Sequence, residues 1–186
     1  MRFSENQKIA IIVLAVCVLV SVFGLGGIGL ARERGKAVKV FQEGDDPSLA
    51  TRYSIDAFLN TAKESAQLMT NEAEVLKVNA QLIENVETPA KTIADASATL
   101  DSRYTAYVAL KEAVEKLYNA AYDVAKAEGS FKDFKLAYDD FWGEDDLIQR
   151  DPYHQVARSY NKLAGGFPGA LVALITGQGQ LNTFGG

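Results

Sequence analysis

The sequence predicts an all-α protein, a single N-terminal transmembrane helix followed by an antiparallel bundle of long helices. Three observations carry that prediction. Ile9 to Ala31 holds no charged residue. From Ile55 onward, apolar side chains recur at alternating spacings of four and three, the signature of one buried helical stripe. Pro47, Pro89, Pro152 and Pro168 each stand beside polar or glycine residues, where helices commonly end.

The uncharged run comes first. At 1.5 Å per residue it would extend about 34 Å, enough for a hydrocarbon core of about 30 Å. Arg2 and Lys8 precede it, as in a cleaved signal peptide, but the run exceeds a signal core of about 7–15 residues and meets Arg32-Glu33-Arg34 without an A-x-A site. An uncleaved anchor fits better. Cys17 lies mid-run, and Leu14-Ala15-Val16-Cys17 makes a poor lipid-attachment box because Val16 stands where a small residue is expected. Gly24-Leu25-Gly26-Gly27-Ile28-Gly29 spells G-x-G-x-x-G, yet a nucleotide loop needs a preceding strand and an acidic ribose partner. Gly27 and Ala31 instead form a small-xxx-small pair, a weak signal for self-association.

The organisation read from the chain is a short tail (1–8), an anchor (9–31), a juxtamembrane linker (32–47) and a helical bundle (48–186). Arg2 and Lys8 lie before the span and Arg32, Arg34, Lys36 and Lys39 after it, which favours the larger domain on the cytoplasmic side. Those four basic residues, followed by Glu43-Gly44-Asp45-Asp46, would either meet anionic lipid headgroups or form a solvated linker. Without Arg2, Glu5 and Lys8, which precede the span, 17 Lys and Arg stand against 23 Asp and Glu, and that net of −6 argues against electrostatic nucleic-acid binding. One Cys and one His cannot build an intramolecular disulfide, a zinc finger or an HExxH site.

Within the bundle, the first seam comprises Ile55, Leu59, Ala62, Ala66, Met69, Ala73, Leu76, Ala80 and Ile83. After a break at Glu87-Thr88-Pro89, a second comprises Ile93, Ala96, Leu100, Tyr104, Tyr107, Leu110, Val114, Leu117, Ala121 and Val124. Two such helices joined by a short turn should pack antiparallel. Gly129-Ser130 ends the second helix and caps a third, with an aromatic stripe of Phe131, Phe134, Tyr138 and Phe141 expected in the core. Gly143-Glu144-Asp145-Asp146 reads as a solvated acidic corner, lacking the ligand pattern of an EF-hand. Asp151-Pro152 should open a fourth helix with Tyr153, Val156, Ala157, Tyr160 and Leu163 or Ala164 inside. His154 falls beside that stripe, at the surface or its boundary, with no nucleophile at readable spacing. No catalytic, cofactor or metal residues emerge.

Tyr160-Asn161, Phe167-Pro168, the apolar Leu171-Val172-Ala173, Gly177 and Phe184 together resemble the C-terminal signature of the LemA family. The span, basic flank and helical bundle are similar to that family over the whole length. The first long helix lacks the family's Leu-Ile-Pro-Asn-Leu-Val-like motif, of which Gln81 to Val86 is a distant echo, so the resemblance is to a divergent member. It implies a single-pass protein of the bacterial cell membrane, a non-enzymatic scaffold or adaptor without cofactors. Its implied partners are membrane lipid and a membrane-associated peptidase or TPM-domain protein. The alternative is a sensory or ligand-binding four-helix domain coupled to a partner through the span. Physically, Asn161 would satisfy backbone groups while Tyr160 packs inward. Phe167 would staple the returning chain to the bundle, or else line a recognition groove. Ala170 to Ile175, too short to span, should lie on the bundle or at the membrane interface.

Overall fold

The computed structural model describes residues 5–46 and 53–185. Arg2, Pro47 and Ser48, read above as part of the tail, a helix boundary and the start of the bundle, lie outside them. Among the described residues the regular structure is helical throughout, in agreement with the all-α expectation. In order, the elements are α1 (Glu5–Val20), a π-helical turn (Ser21–Leu25), α2 (Gly26–Glu43), α3 (Ile55–Val75), α4 (Ala80–Ala94), α5 (Leu100–Glu128), α6 (Phe131–Arg150), α7 (Tyr153–Gly165) and α8 (Gly169–Thr176). The chain divides into two compact units, one of Met1–Lys39 with Gln155–Leu181, the other of Val40–His154 with Asn182–Gly186.

In the first unit the backbone stays helical through the π turn, since the flanking Val20 and Gly26 both have right-handed helical dihedrals. The turn nonetheless divides the uncharged run between α1, of 16 residues, and the start of α2. Taken singly, no helix among the described residues is long and apolar enough to cross a membrane. Residues 32–43, expected as linker, are helical. Leu30 and Ala37 are buried two helical turns apart, a spacing masked in the sequence by the charged residues between them; Phe41, further along α2 in the second unit, is buried as well.

The second unit is a four-helix bundle. Ser54 caps α3, its Oγ accepting the Ala57 amide at 3.2 Å. Ile55, Leu59, Ala62, Ala66, Met69 and Ala73 are buried as the seam requires. The seam then stops: Leu76 is half-buried and Ala80 exposed. The physical reason is a Schellman closure, with Val78 N donating to Ala73 O at 2.9 Å, Lys77 N to Glu74 O at 3.0 Å, and Lys77 in the left-handed region at φ 55°. Asn79 starts the next helix, its side chain accepting the Gln81 amide at 2.9 Å.

The expected break at Pro89 is also displaced, because α4 continues through it. Ile83, Val86, Pro89, Ala90 and Ile93 are all buried in α4, and that packing offsets the hydrogen bond a mid-helix proline forfeits. The chain turns instead at Asp95, whose Oδ1 accepts the Ser97 amide at 2.8 Å, and this leaves Ala96 exposed.

Arg103, near the start of α5, pairs with Asp56 near the start of α3. At their far ends Leu76 and Val124 line one shallow groove. α3 and α5 therefore run parallel, correcting the antiparallel pairing expected of the two seams. α4 returns between them in the chain, and α6 returns after them: Tyr107 and Lys111 meet Asp145, while Tyr118 and Tyr122 meet Phe134 and Phe131. α3 packs against α4 and α6, and α5 against the same two, giving an up-down-up-down arrangement. Tyr107, Leu110, Val114, Leu117 and Ala121 fill the α5 side; Ala125 takes the inner place expected for Val124.

Candidate functional site

The residues that carry the C-terminal signature fall in two places. In the first unit, α7 turns the Tyr160 ring inward beside Ala157 and Ala164, all buried. Its hydroxyl donates to Gln178 O and Gly179 O, each at 3.1 Å. Burial pushes the Tyr160 phenol above its ordinary range against the opposing pull of the Arg34 guanidinium, so it stays a donor. Asn161 completes the clamp: its Nδ2 donates to Leu181 O at 2.8 Å, and its Oδ1 accepts Leu181 N at 2.7 Å. One Tyr-Asn pair thus holds the backbone of residues 178–181, which belongs to no helix or strand and has no ladder of its own.

The Phe167-Pro168 turn behaves differently from expectation. Phe167 is 90% exposed and does not staple the chain. The turn is closed by Gly169, where an added Cβ would lie 1.9 Å from the Leu163 carbonyl oxygen. α8 then presents two faces. Val172 is buried, and its methyls lie 3.5 and 3.8 Å from where Cβ atoms on Gly26 and Gly27 would stand. Leu171, Leu174 and Ile175 are exposed, Leu174 to 79%.

In the second unit, Phe184 is only 4% exposed. Its ring centroid lies 5.5 Å from that of Phe41, 5.4 Å from Tyr104, 5.9 Å from Tyr107 and 6.2 Å from Tyr153. Beside it, Tyr107 donates to Asp145 Oδ1, and Lys111 Nζ reaches the same oxygen at 2.8 Å. Gln149 Nε2 donates to both Asp145 Oδ1 and the Phe184 carbonyl. Burial, then the Asp145 carboxylate, pushes the Tyr107 phenol far above its ordinary range. The segment read as an acidic corner is therefore mid-helix in α6, and Asp145 faces inward while Asp146 stays outside.

His154 is a second correction. It is 4% exposed, with Nε2 2.6 Å from the Ile148 carbonyl oxygen. The signal for burial lay in the neighbouring cap: Asp151 Oδ1 accepts the Tyr153 amide at 2.7 Å, fixing the first turn of α7 and its side chains. Phe41 and Asp145 were missed because each sits among charged neighbours in sequence. The aromatic stripe divides, Phe134 and Phe141 being core while Phe131 and Tyr138 join Tyr118 and Tyr122 in a half-exposed ring cluster.

Charge separates between the units. The first carries eight Lys and Arg against two Glu, the second eleven against twenty-two acidic residues, so net charges of +6 and −11 make up the chain's −5. From Gln155 to Leu181 there is no acidic residue, only Arg158 and Lys162. Among the described residues no three His, Cys, Asp or Glu side chains converge on a metal position. No family model, no characterised protein and no solved structure matches the chain.

Proposed function

We propose that this chain is a membrane-anchored helical scaffold or adaptor of the LemA type, held by residues 9–31 and carrying an acidic bundle that engages other membrane proteins. The observation that carries the anchoring is the charge separation. The unit containing the uncharged run is basic, +6, although the protein as a whole is acidic. Basic residues beside an apolar segment favour anionic headgroups, at about 1 kcal/mol each near the surface. The backbone between Glu5 and Glu43 is helical without a gap, and the side chains of Ile9, Ile12, Leu14 and Val20 face outward, as lipid contact would require. The LemA reading draws support from the Tyr160-Asn161 clamp, which gives the Tyr-Asn pair a physical role in holding the C-terminal tail. A large bundle surface bearing mostly acidic side chains suits a basic patch on a partner.

Membrane fractionation with alkaline carbonate extraction tests the anchor: the full chain should stay in the pellet, and release into the supernatant would sink the reading. Orientation follows from Asp146→Cys in a Cys17→Ser background, because Asp146 is exposed whereas Asp145 is not. A cytoplasmic bundle predicts no labelling of intact cells by an impermeant thiol reagent and full labelling after permeabilisation. For the scaffold role, mild crosslinking in membranes should yield a discrete adduct with a membrane-associated peptidase or TPM-domain protein. An adduct ladder of this chain alone would contradict it.

A further inference from the structure

Outside the uncharged run, the first unit exposes large apolar side chains along α8 and the turn before it. Phe167, Leu171, Leu174 and Ile175 are all exposed on one short segment, with Leu163 beside them at the end of α7. No charged residue lies between Leu163 and Gln180. Four large apolar side chains left in water, one on the turn and three on α8, would cost stability and invite aggregation.

The position of this face identifies what covers it. Val172, buried on α8, has its methyls 3.5 and 3.8 Å from where Cβ atoms on Gly26 and Gly27 would stand. Those glycines lie five and six residues before Arg32, where the uncharged run ends. Along a helix this is about 8–9 Å. If Arg32 marks the headgroup level, α8 sits within the depth of about 5–10 Å at which interfacial helices bury their apolar face. The glycines also permit this seat, since they let α8 approach α2 without an intervening side chain. Within this unit the charged residues of α2 and α7 are Arg32, Arg34, Lys36 and Lys39, then Arg158 and Lys162, with Glu33 the one acid among them. Exposed apolar side chains on a unit of this charge match acyl chains under anionic headgroups.

The geometry points to α8 and the preceding Phe167-Pro168 turn as a second, monotopic membrane contact. Phe167, Leu171, Leu174 and Ile175 enter the acyl boundary beside the anchor, and the Arg and Lys side chains of α2 and α7 meet lipid phosphates. This rests on the anchoring proposed above and adds to it. The chain would be held at two points, so its first unit would have a fixed orientation on the bilayer instead of swivelling about a single span.

The test uses the full chain in vesicles of phosphatidylcholine and phosphatidylglycerol, with Cys17→Ser as background. Nitroxide labels are placed singly at Leu174→Cys, at Leu14→Cys within the run and at Lys162→Cys. Relaxation by oxygen, which partitions into lipid, is compared with relaxation by a polar nickel chelate. The Leu174 label should favour oxygen and report a depth between those of the other two, while Lys162 favours the chelate. If the Leu174 label is as open to the chelate as Lys162 while Leu14 remains in hydrocarbon, the α8 contact is overturned and the anchor stands. If the Leu14 label is also aqueous, the anchoring reading has failed and this inference with it. Protection of Leu174 from both reagents, with spin–spin broadening relieved by diluting in unlabelled protein, would show a second copy on this face and overturn lipid as its occupant.

Discussion

Asn161 and Leu181 exchange two hydrogen bonds, the amide of one side chain closing a ring with the backbone of the other residue at 2.8 and 2.7 Å. A carboxamide alone provides a donor and an acceptor in that geometry. Asn161→Ala should therefore cost about 1–3 kcal/mol, leaving two half-buried backbone groups unsatisfied. Asn161→Asp, the isostere, should also destabilise, because it presents an oxygen to the Leu181 carbonyl. Hydrogen exchange at the Leu181 amide gives the readout, with protection falling in both variants. Undiminished protection would mean that the tail is held by something other than this pair.

The two phenylalanines of the C-terminal signature should respond in opposite ways. Phe184 is enclosed by Phe41, Tyr104, Tyr107 and Tyr153, so Phe184→Ala should cost about 3–5 kcal/mol in urea or thermal unfolding in detergent. Phe167 is exposed, so Phe167→Ala should leave the midpoint nearly unchanged. A loss of comparable size in both variants would contradict the exposure of Phe167.

These contrasts show where periodicity was informative. The inner side chains from Ile55 to Ala73 and from Tyr107 to Ala121 could be read from spacing, because a helix packed along one stripe buries every third or fourth residue. What spacing could not show was where the stripe reverses. The end of α3 is set by a left-handed Lys77, a residue type with no special signal for that conformation. Pro89, the strongest local breaker, lies within a helix whose packing outweighs it. Of the site, Tyr160 and Asn161 were legible in role, since hydroxyl and carboxamide chemistry permits few alternatives. The places of Phe167 and Phe184 were not, since an aromatic ring is equally at home in a core or at a lipid interface.

Lys77 stands at φ 55° in the Schellman closure of α3, a conformation that costs a side-chain-bearing residue about 1–2 kcal/mol and glycine little. Lys77 is exposed, so nothing else is lost with its side chain. Lys77→Gly should raise stability by up to about 1 kcal/mol once the added freedom of the unfolded chain is counted. A drop in the unfolding midpoint would mean that the closure is not maintained in solution.

Gly169 has no room for a methyl group, because its Cβ would overlap the Leu163 carbonyl. Gly169→Ala should displace α8 from Gly26 and Gly27. In the labelling experiment, its signature would be a shallower nitroxide at Leu174 with the Leu14 label unmoved. Gly143→Ala is the control, since an added Cβ there meets nothing within 4 Å and α6 gains a better helix former. An unchanged Leu174 depth in Gly169→Ala would show that the turn has other ways to close.

Asp151 gives the pH prediction. Burial raises its carboxyl pKa above the ordinary Asp range, as does Asp45, while the Tyr153 amide and His154 act in the opposite direction. The protonated form is thus favoured in the fold. Its contribution to stability is complete below the ordinary Asp range and is lost as pH rises through the folded pKa. At neutral pH the buried charge is a net liability, even though its Oδ1 caps α7. Asparagine caps as well as aspartate and carries no charge. Asp151→Asn should accordingly match the parent near pH 3 and exceed it at pH 7, the gap opening across the acid range and then staying level. Asp151→Ala, which removes the cap, should be less stable than Asp151→Asn at every pH, by about 0.5–2 kcal/mol. Urea unfolding of the three proteins from pH 3 to pH 7 decides the sign. A parent protein that gains on Asp151→Asn as pH rises would show that the amide and His154 outweigh burial.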